Sequence, residues 1–553
     1  MSNILGVSAA NNKEIYADAI VIGAGFAGLY AVYRLREAGL SVLGLEKAIG
    51  VGGVWYWNRY PGARCDIPSL EYSYSFSDEL QQEWNWKERF AAQPEILEYL
   101  NHVADRFDLR PHYRFSTTVT SAAYDSATGL WTLQIEGGGQ CRCKYLIPAV
   151  GSLSLPKAMN FPSIEEFAGP VYHTSHWPHQ KVDFAGKRVA VVGTGSSGVQ
   201  TITTIAKDVE KLYVLQRTPC FSVPARNCPA DPVIDARIKS NYAALRNKAR
   251  STASGFAIDE ATKPAHAFSE VERRAQMERC WAEGGLEFGG KIFSDLVVSE
   301  EANEIVAAFM RDKIAEVVKD PKTVELLTPR SYPVGSKRMC VDTGYYEVFN
   351  QDNVELVDIS ESSVEFTHNS VIADGRTLEV DAVVMATGFD AMTGPLLKMN
   401  ISADGKSLAD AWEYGAKTML GVMVAGFPNM FLITGPGSPS VLSNVVLSIE
   451  QHVNWIMDLV SFMEQQGIAS VATTVEEQEK WMGHVADLAE GTLFTRADSW
   501  YIGANVPGKP RVFMPYLGGV KTFAETCAAI RDAGYPNFNF QYANALSDRS
   551  VDA

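Results

Sequence analysis

The sequence contains no Cys-x-x-Cys pair, although it has eight cysteines in 553 residues. Only Cys141 and Cys143 come close, at a spacing that puts both on one face of a strand as ordinary packing. A dithiol redox centre is thereby excluded, and a thiol-reduced, cytoplasmic setting is expected. Long apolar runs are also missing. No uninterrupted run approaches the roughly 18 residues of a membrane span, and the most apolar late region, 419–433, is broken by Gly421, Gly426, Pro428 and Asn429. The first residues lack the basic start of a secretion signal. Positive charge is scarce: 49 Lys and Arg against 65 Asp and Glu leave a net charge of −16. That balance argues against nucleic acid or an anionic membrane surface as the main partner. Any phosphate-bearing ligand must therefore be held by a local basic patch. No metal site is expected.

What is present is an ordinary globular composition, 46% hydrophobic and 21% charged, over a length that calls for several domains. "DAIVI" at 18–22 is a short β-branched run ending at the turn "GAGFAG", Gly23–Gly28. A helix at helical apolar spacing (29–38) and a second strand (41–45) follow. The plan repeats: "KRVAVVG" as strand, the turn "GTGSSG" at Gly193–Gly198, a helix over about 198–206, then "LYVLQ". Two strand–turn–helix–strand units predict an α/β fold with two doubly wound Rossmann-like dinucleotide-binding domains. "VDAVVMATGFD" (380–390) and, more weakly, "YLIPAVG" (145–151) mark crossings between them. Between Pro224 and Pro333 long charged helical patterns predict a helical insertion, and the tail from about Leu546 is expected to be disordered.

Each glycine turn follows a strand and opens a helix, the context that gives the motif its meaning. The first glycine (Gly23) allows the tight turn, the second (Gly25) lets the backbone approach a pyrophosphate, and the third (Gly28) lets helix and strand pack closely. The pyrophosphate would sit at the helix N-terminus. The following strands separate the two sites. Eighteen residues after Gly28 stands Glu46, a carboxylate suited to a free ribose diol. Eighteen residues after Gly198 stands Gln216, followed by Arg217 and Thr218, a guanidinium and a hydroxyl suited to a 2′-phosphate. The first site suits FAD or NAD and the second NADP. A tightly held flavin plus NADPH, without a redox cysteine pair, leaves chemistry on the flavin itself.

The stretch between the turns reads Phe167-x-Gly169-x-x-x-His173-x-x-x-Trp177-Pro178. It resembles in full the signature of type I Baeyer–Villiger monooxygenases. "GVGGVWYWNRYPGARCDIPSLEYSYSF" (50–76), "YPVGSKRMCVDTGYY" (332–346), "ITGPGSPSVLSN" (433–444) and "SWYIGANVPGKPR" (499–511) resemble further segments of that family, in its order, over roughly 15–535. The resemblance implies NADPH- and O2-dependent oxidation of ketones to esters or lactones through a flavin C4a-peroxide. It implies an FAD domain over 1–151 and 389–545, an NADP domain over 152–223 and 333–388, and an insertion over 224–332.

The resemblance also assigns residues. Arg338, oriented by Asp66, is the catalytic pair: a fixed cation keeps the peroxide deprotonated and stabilises the anionic adduct. FAD would be held by Gly23, Gly25, Phe26, Gly28, Glu46, Val54, Trp55, Asp66, Tyr72, Val119 and Val445. NADP would be held by Arg64, Thr194, Gly195, Ser196, Ser197, Gln200, Arg217, Thr218, Lys337, Arg338 and Trp500. Ser440, Val441, Leu442 and Trp500 would line a substrate pocket with room for an aryl, alicyclic or medium-chain ketone. Phe167, Gly169, His173, Trp177 and Pro178 would couple the two nucleotide domains as they shift between reduction and oxygenation. Val150 departs from relatives, which often carry a hydroxyl there; with Gly151 retained, the turn is expected unchanged. The alternatives are a flavin-dependent S- or N-oxygenase, disfavoured by a cationic Arg338, and a catalytically idle flavoprotein binding module, which would lack Arg338 or Asp66. The natural ketone and the oligomeric state, monomer or small homo-oligomer, stay open.

Overall fold

In a computed structural model, which describes residues 15–542, two parallel-stranded cores carry the two glycine turns. The expected tail, 546–553, lies outside the described residues. The first core is an eight-stranded mixed sheet. Its spatial order is Lys406–Ser407, Ile401–Ala403, Val119–Asp125, Leu130–Ile135, Gln140–Pro148, Ile15–Ile22, Val42–Leu45 and Tyr113–Arg114. The strand before the first turn lies centrally, in parallel register with Val42–Leu45 on one side and Gln140–Pro148 on the other (Ile22 opposite Leu45 and Pro148). Cys141 and Cys143 are both buried in that strand as packing residues, and all eight cysteines are free.

The second core is a purely parallel five-stranded sheet in the order Val354–Asp358, Lys211–Gln216, Arg188–Val192, Ala382–Met385 and Val171–His173. A sheet covered on both faces needs continuous apolar strands. The inner strands supply them: Val189, Ala190, Val191, Val383, Val384 and Met385 have no accessible surface. The stretch Phe167–Pro178, read from sequence as a linker, contributes an edge strand here instead, Val171 facing Val383 and His173 facing Met385. Three residues are too few for an alternating pattern to declare itself.

Helices observed at Phe26–Glu37 and Ser196–Ile205 follow the turns. Both start on glycine without a side-chain cap, as does Val520–Asp532, whereas the helices Glu270–Glu283, Glu300–Val317, Val445–Gln466 and Val475–Glu490 are capped by Ser, Asn or Thr and Gln93–Arg106 carries a proline in its first turn. Residues 224–332 are helical as expected: Pro232–Lys239, Tyr242–Arg250, Glu270–Glu283, Phe288–Ile292, Glu300–Val317 and Pro321–Leu327. Ser269 and Glu272 close a capping box on the third of these, and Ser299 caps the fifth. This excursion is pinned at its base, where Ser222–Pro224 pairs in parallel with Cys340–Asp342. The long helix Val445–Gln466 begins on Asn444, whose side chain accepts the Val446 N–H, and ends at Gly467 with φ of 66°. It packs on Phe26–Glu37 and so backs the first turn. Among the described residues no helix is long and apolar enough to cross a membrane.

Candidate active site

Each turn is built on the same two close approaches. Gly23 and Gly193 take φ of 109° and 108°, and a Cβ on either would lie 2.5 or 2.6 Å from a carbonyl oxygen of the neighbouring strand, Ala149 or Ala386. A Cβ on Gly28 would stand 1.9 Å from the Gly23 oxygen, and one on Gly198 2.1 Å from the Gly193 oxygen. Side chains at these positions would push the helix off the strand. A Cβ on Gly195, by contrast, would meet nothing within 4 Å, so the mouth of the second turn is open. With first-turn N–H groups left uncapped, both turns suit the pyrophosphate of a dinucleotide.

At the end of Val42–Leu45, Glu46 is buried and its two oxygens accept the N–H groups of Ala24 (2.8 Å) and Ala48 (2.7 Å). Burial raises its pKa, and those two N–H groups act in the opposite sense. Glu46 therefore clamps the first turn directly. In the second unit Gln216 is buried, donates to the Leu326 carbonyl (2.7 Å) and leaves its own side-chain oxygen unbonded, while Arg217 beside it is exposed. Thr194 donates to the Thr218 carbonyl (3.2 Å). Lys337 lies over the Tyr332 ring at 4.8 Å; burial first and the Arg217 charge second lower its pKa, which puts it in the field of Arg217.

Phe26, Trp55 and Tyr72 meet between the first turn and the segment 50–76, the cover segment: Phe26 lies edge-on to Tyr72 at 5.1 Å, and Trp55 donates to the Tyr72 hydroxyl (3.1 Å). Val54 opens the short helix Val54–Trp57, Val119 begins a strand of the first sheet, and Val445 opens the long helix. Ser196 and Ser197 begin the helix of the second turn, with the Ser196 hydroxyl 3.7 Å from the Cys340 sulfur. Arg64 and Gln200 are bonded to one another, Gln200 donating to the Arg64 carbonyl (3.2 Å) while its oxygen accepts the Tyr60 hydroxyl (2.9 Å). The Arg64 guanidinium pairs with Glu88 at 2.7 Å.

Arg338 and Asp66 lie 272 positions apart and form a two-pronged pair: Nε donates to Oδ2 at 2.9 Å and Nη2 to Oδ1 at 2.8 Å. Nη1 donates to the Val441 carbonyl at 2.9 Å. Burial works against the Arg338 charge, but the Asp66 carboxylate outweighs it and the net shift is upward. The insertion explains the placement. Met339 and Val341 belong to its apolar core with Phe288, Phe309 and Met310, and the Cys340 N–H is held by the Phe221 carbonyl (2.9 Å).

Val441 and Trp500 pack with Leu153 on Ala391, Met392 and Met514, a small apolar cluster of its own. Leu442 is half-buried, and Ser440 is buried at φ of 36° with its hydroxyl unbonded. Tyr501, next to Trp500, is buried; burial pushes its phenol up to about 12, with the Arg338 charge acting against that shift. Three features here were not read from the sequence. They are the Val441 carbonyl on Arg338, Tyr501 beside it, and Lys509, whose ammonium ties the 499–511 segment to Asp390 (2.6 Å) and the Ala391 carbonyl (2.8 Å). Only the Lys–Asp charge pair had a signal in the sequence, and nothing in the spacing joined its members.

In the stretch between the turns, Phe167 and Trp177 are buried, Trp177 against Tyr172 (5.2 Å) and Phe184 (6.1 Å). A Cβ on Gly169 would lie 2.7 Å from both the Asp381 oxygen and the Phe167 ring. Pro178 directly follows Trp177 and is half-buried. His173 accepts the Ser175 N–H on Nδ1 (3.1 Å), and its Nε2 is 3.4 Å from the Thr387 hydroxyl. Burial holds its pKa down to about 4, so the ring is neutral. His176 stands against Trp57 (5.5 Å) and His179 against Tyr56 (5.1 Å), which joins this stretch to the cover segment. Gly151 keeps a positive φ of 73°, and the Val150 carbonyl accepts the Ser154 hydroxyl (2.6 Å), so the turn is made without a hydroxyl at position 150.

A family model described as pyridine nucleotide-disulphide oxidoreductase matches residues 20–307. A Baeyer-Villiger monooxygenase from Pseudooceanicola batsensis is 42% identical over 538 residues, covering 96% of this chain and 98% of that protein. A cyclohexanone 1,2-monooxygenase from Acinetobacter sp. is 41% identical over 535 residues, with the same shares covered. A phenazine N-monooxygenase from Lysobacter antibioticus is 38% identical over 533 residues, again 96% and 98%. Among solved structures, an oxidised steroid monooxygenase bound to NADP superposes with a TM-score of 0.91 at 45% identity, covering 96% of this chain and 100% of that one. Identity at this level along nearly the whole of both chains bears out the resemblance carried by the stretch Phe167–Pro178: the chain belongs to the Baeyer–Villiger monooxygenase family.

Proposed function

We propose that this chain oxidises ketones to esters or lactones with NADPH and O2, holding FAD on the first glycine turn and NADPH on the second. One oxygen atom of O2 enters between the carbonyl carbon and a neighbouring carbon. The other leaves as water, with two electrons from NADPH and a proton. The observation that carries the reading is the Arg338 guanidinium held by Asp66 and the Val441 carbonyl.

Bound FAD supplies the two-electron carrier at which dioxygen is activated. The protein supplies charge, orientation and dryness. Negative charge develops on oxygen as a carbonyl is attacked, and a cation already fixed in place stabilises it without reorganising. Three of the five Arg338 N–H donors are engaged by Asp66 and Val441. Two remain for Tyr501 and the reacting oxygens. Because the fork is two-pronged, the guanidinium plane is fixed as well as its position. Leu153, Met392, Val441, Trp500 and Met514 provide an apolar wall for the body of the ketone.

The residues assigned above to FAD, NADP and substrate keep those roles in this reading, and the segments 1–151 with 389–545, and 152–223 with 333–388, form the two nucleotide domains around the insertion 224–332. The His173 strand, tied to Thr387 on one side and through His176 to Trp57 on the other, couples the domains. Oxygenation of nitrogen or sulfur needs an electrophilic, protonated oxidant, which a fixed guanidinium disfavours. The test is turnover of phenylacetone and cyclohexanone by the FAD-loaded protein with NADPH. Ester or lactone formed in step with NADPH consumed supports the reading; hydrogen peroxide in step with NADPH, with no oxygenated ketone, overturns it.

A further inference from the structure

We propose that Lys157 is a third cation of the 2′-phosphate site and sets the preference for NADPH over NADH; this rests on the reading of the second turn as the NADPH site. The backbone of Lys157 is pinned to the C-terminal edge of the second sheet, just past the inner strand Ala382–Met385. Its N–H donates to the Gly388 carbonyl (3.1 Å), and Pro156 bridges to Phe389. Gly388 follows the strand Ala382–Met385; the neighbouring strand Arg188–Val192 runs into the Gly193 turn, and the next, Lys211–Gln216, runs into Arg217. These strands are parallel, so their C-terminal ends open on one crevice, where a dinucleotide lies across such a sheet.

The charges at this edge are unbalanced. Among the described residues neither the Lys157 ammonium nor the Arg217 guanidinium has a hydrogen bond or ion pair, and Lys337 lies on the Tyr332 ring with the Asp498 carboxylate acting on it only through its field. The opposite end of the same sheet differs: Arg188 is bonded there by both Glu379 and Asp381. Lys157 is half-buried, and burial followed by the Arg217 charge lowers its pKa, as Arg217 also lowers that of Lys337. Two lysines that each stand in the field of Arg217, in a protein of net charge −16, are stabilised together with it by a dianion. A 2′-phosphate is that dianion; a free ribose hydroxyl is not.

The test compares Lys157→Ala, Lys157→Arg and Arg217→Ala in the FAD-loaded protein. Calorimetry measures binding of adenosine 2′,5′-bisphosphate, which carries the phosphate but no nicotinamide, and kinetics give kcat/KM with NADPH and with NADH. Lys157→Ala is expected to weaken the bisphosphate and lower kcat/KM for NADPH about tenfold each. NADH should be unaffected, and Lys157→Arg should keep most of the affinity. Unchanged bisphosphate affinity in Lys157→Ala, with a loss in Arg217→Ala, overturns the role of Lys157 and leaves the site where it is. An equal loss with NADPH and NADH also overturns it. If Arg217→Ala changes neither, the reading of the second turn itself falls.

Discussion

At the scale of single residues, the Arg338–Asp66 pair joins sequence to chemistry. Asp66 does more than balance a charge, since both of its oxygens are used to fix the guanidinium plane. Asp66→Ala is expected to lower ketone oxygenation by about 10²–10³ while NADPH oxidation continues, because an unanchored cation must reorganise as charge develops. Product and NADPH measured in parallel check this, and oxygenation at the wild-type rate would contradict it. Two buried histidines make a separate prediction about pH. Burial holds His173 down to about 4 and His452 down to about 3, and His452 accepts the Thr434 N–H (3.0 Å), which only the neutral ring can do. Below about 6.5 the unfolded chain protonates both rings and the folded chain does not. Their contribution is complete above that pH and is lost as pH falls toward 4. Each adds about 1.4 kcal/mol per pH unit to the slope of stability. Urea unfolding at pH 7 to 5 should show stability falling with pH, less steeply in His452→Gln; an identical slope in the variant would contradict the assignment.

At the scale of elements, the two glycine turns make the same demand in two places. Gly198→Ala puts a methyl 2.1 Å from the Gly193 oxygen, so the helix must leave the strand. We expect it to weaken NADP+ binding at least about tenfold and to cost about 2–3 kcal/mol, with FAD content retained. Gly28→Ala should lose FAD instead. Calorimetric NADP+ titration and the flavin absorbance of both variants check the pair; loss of both cofactors from either would contradict two independent turns. Local elements were legible because their signals are local. The β-branched runs before each turn and the charged helical spacing of the insertion can both be read within a dozen residues. Pairings across long separations left no such trace. Ser222–Pro224 meets Cys340–Asp342 across the whole insertion, and the edge strand Val171–His173 exists only because Ala382–Met385 is there to pair with it. Arg338 was assigned through the family resemblance of the segment around it, whereas its second anchor, a backbone carbonyl at Val441, carries no residue-type signal.

At the scale of the whole molecule, specific contacts join the two nucleotide units proposed above. Tyr60 and Ala63 of the cover segment pack into the core of the second sheet beside Trp177, and Gln200 is bonded to Tyr60 and Arg64. The reactive centre proposed above lies at this meeting, with Asp66 from the first unit, Arg338 from the foot of the insertion and Val441 from the segment leading into the long helix. The central claim is therefore that this junction, through its one fixed guanidinium, commits activated oxygen to a ketone. The most direct test is the yield of ester per NADPH under ¹⁸O2, in the FAD-loaded wild-type protein and in Arg338→Met. The account predicts about one ester per NADPH, carrying one ¹⁸O, in the wild type, and NADPH consumption with hydrogen peroxide and no labelled ester in the variant. Labelled ester at the wild-type yield from Arg338→Met would contradict it.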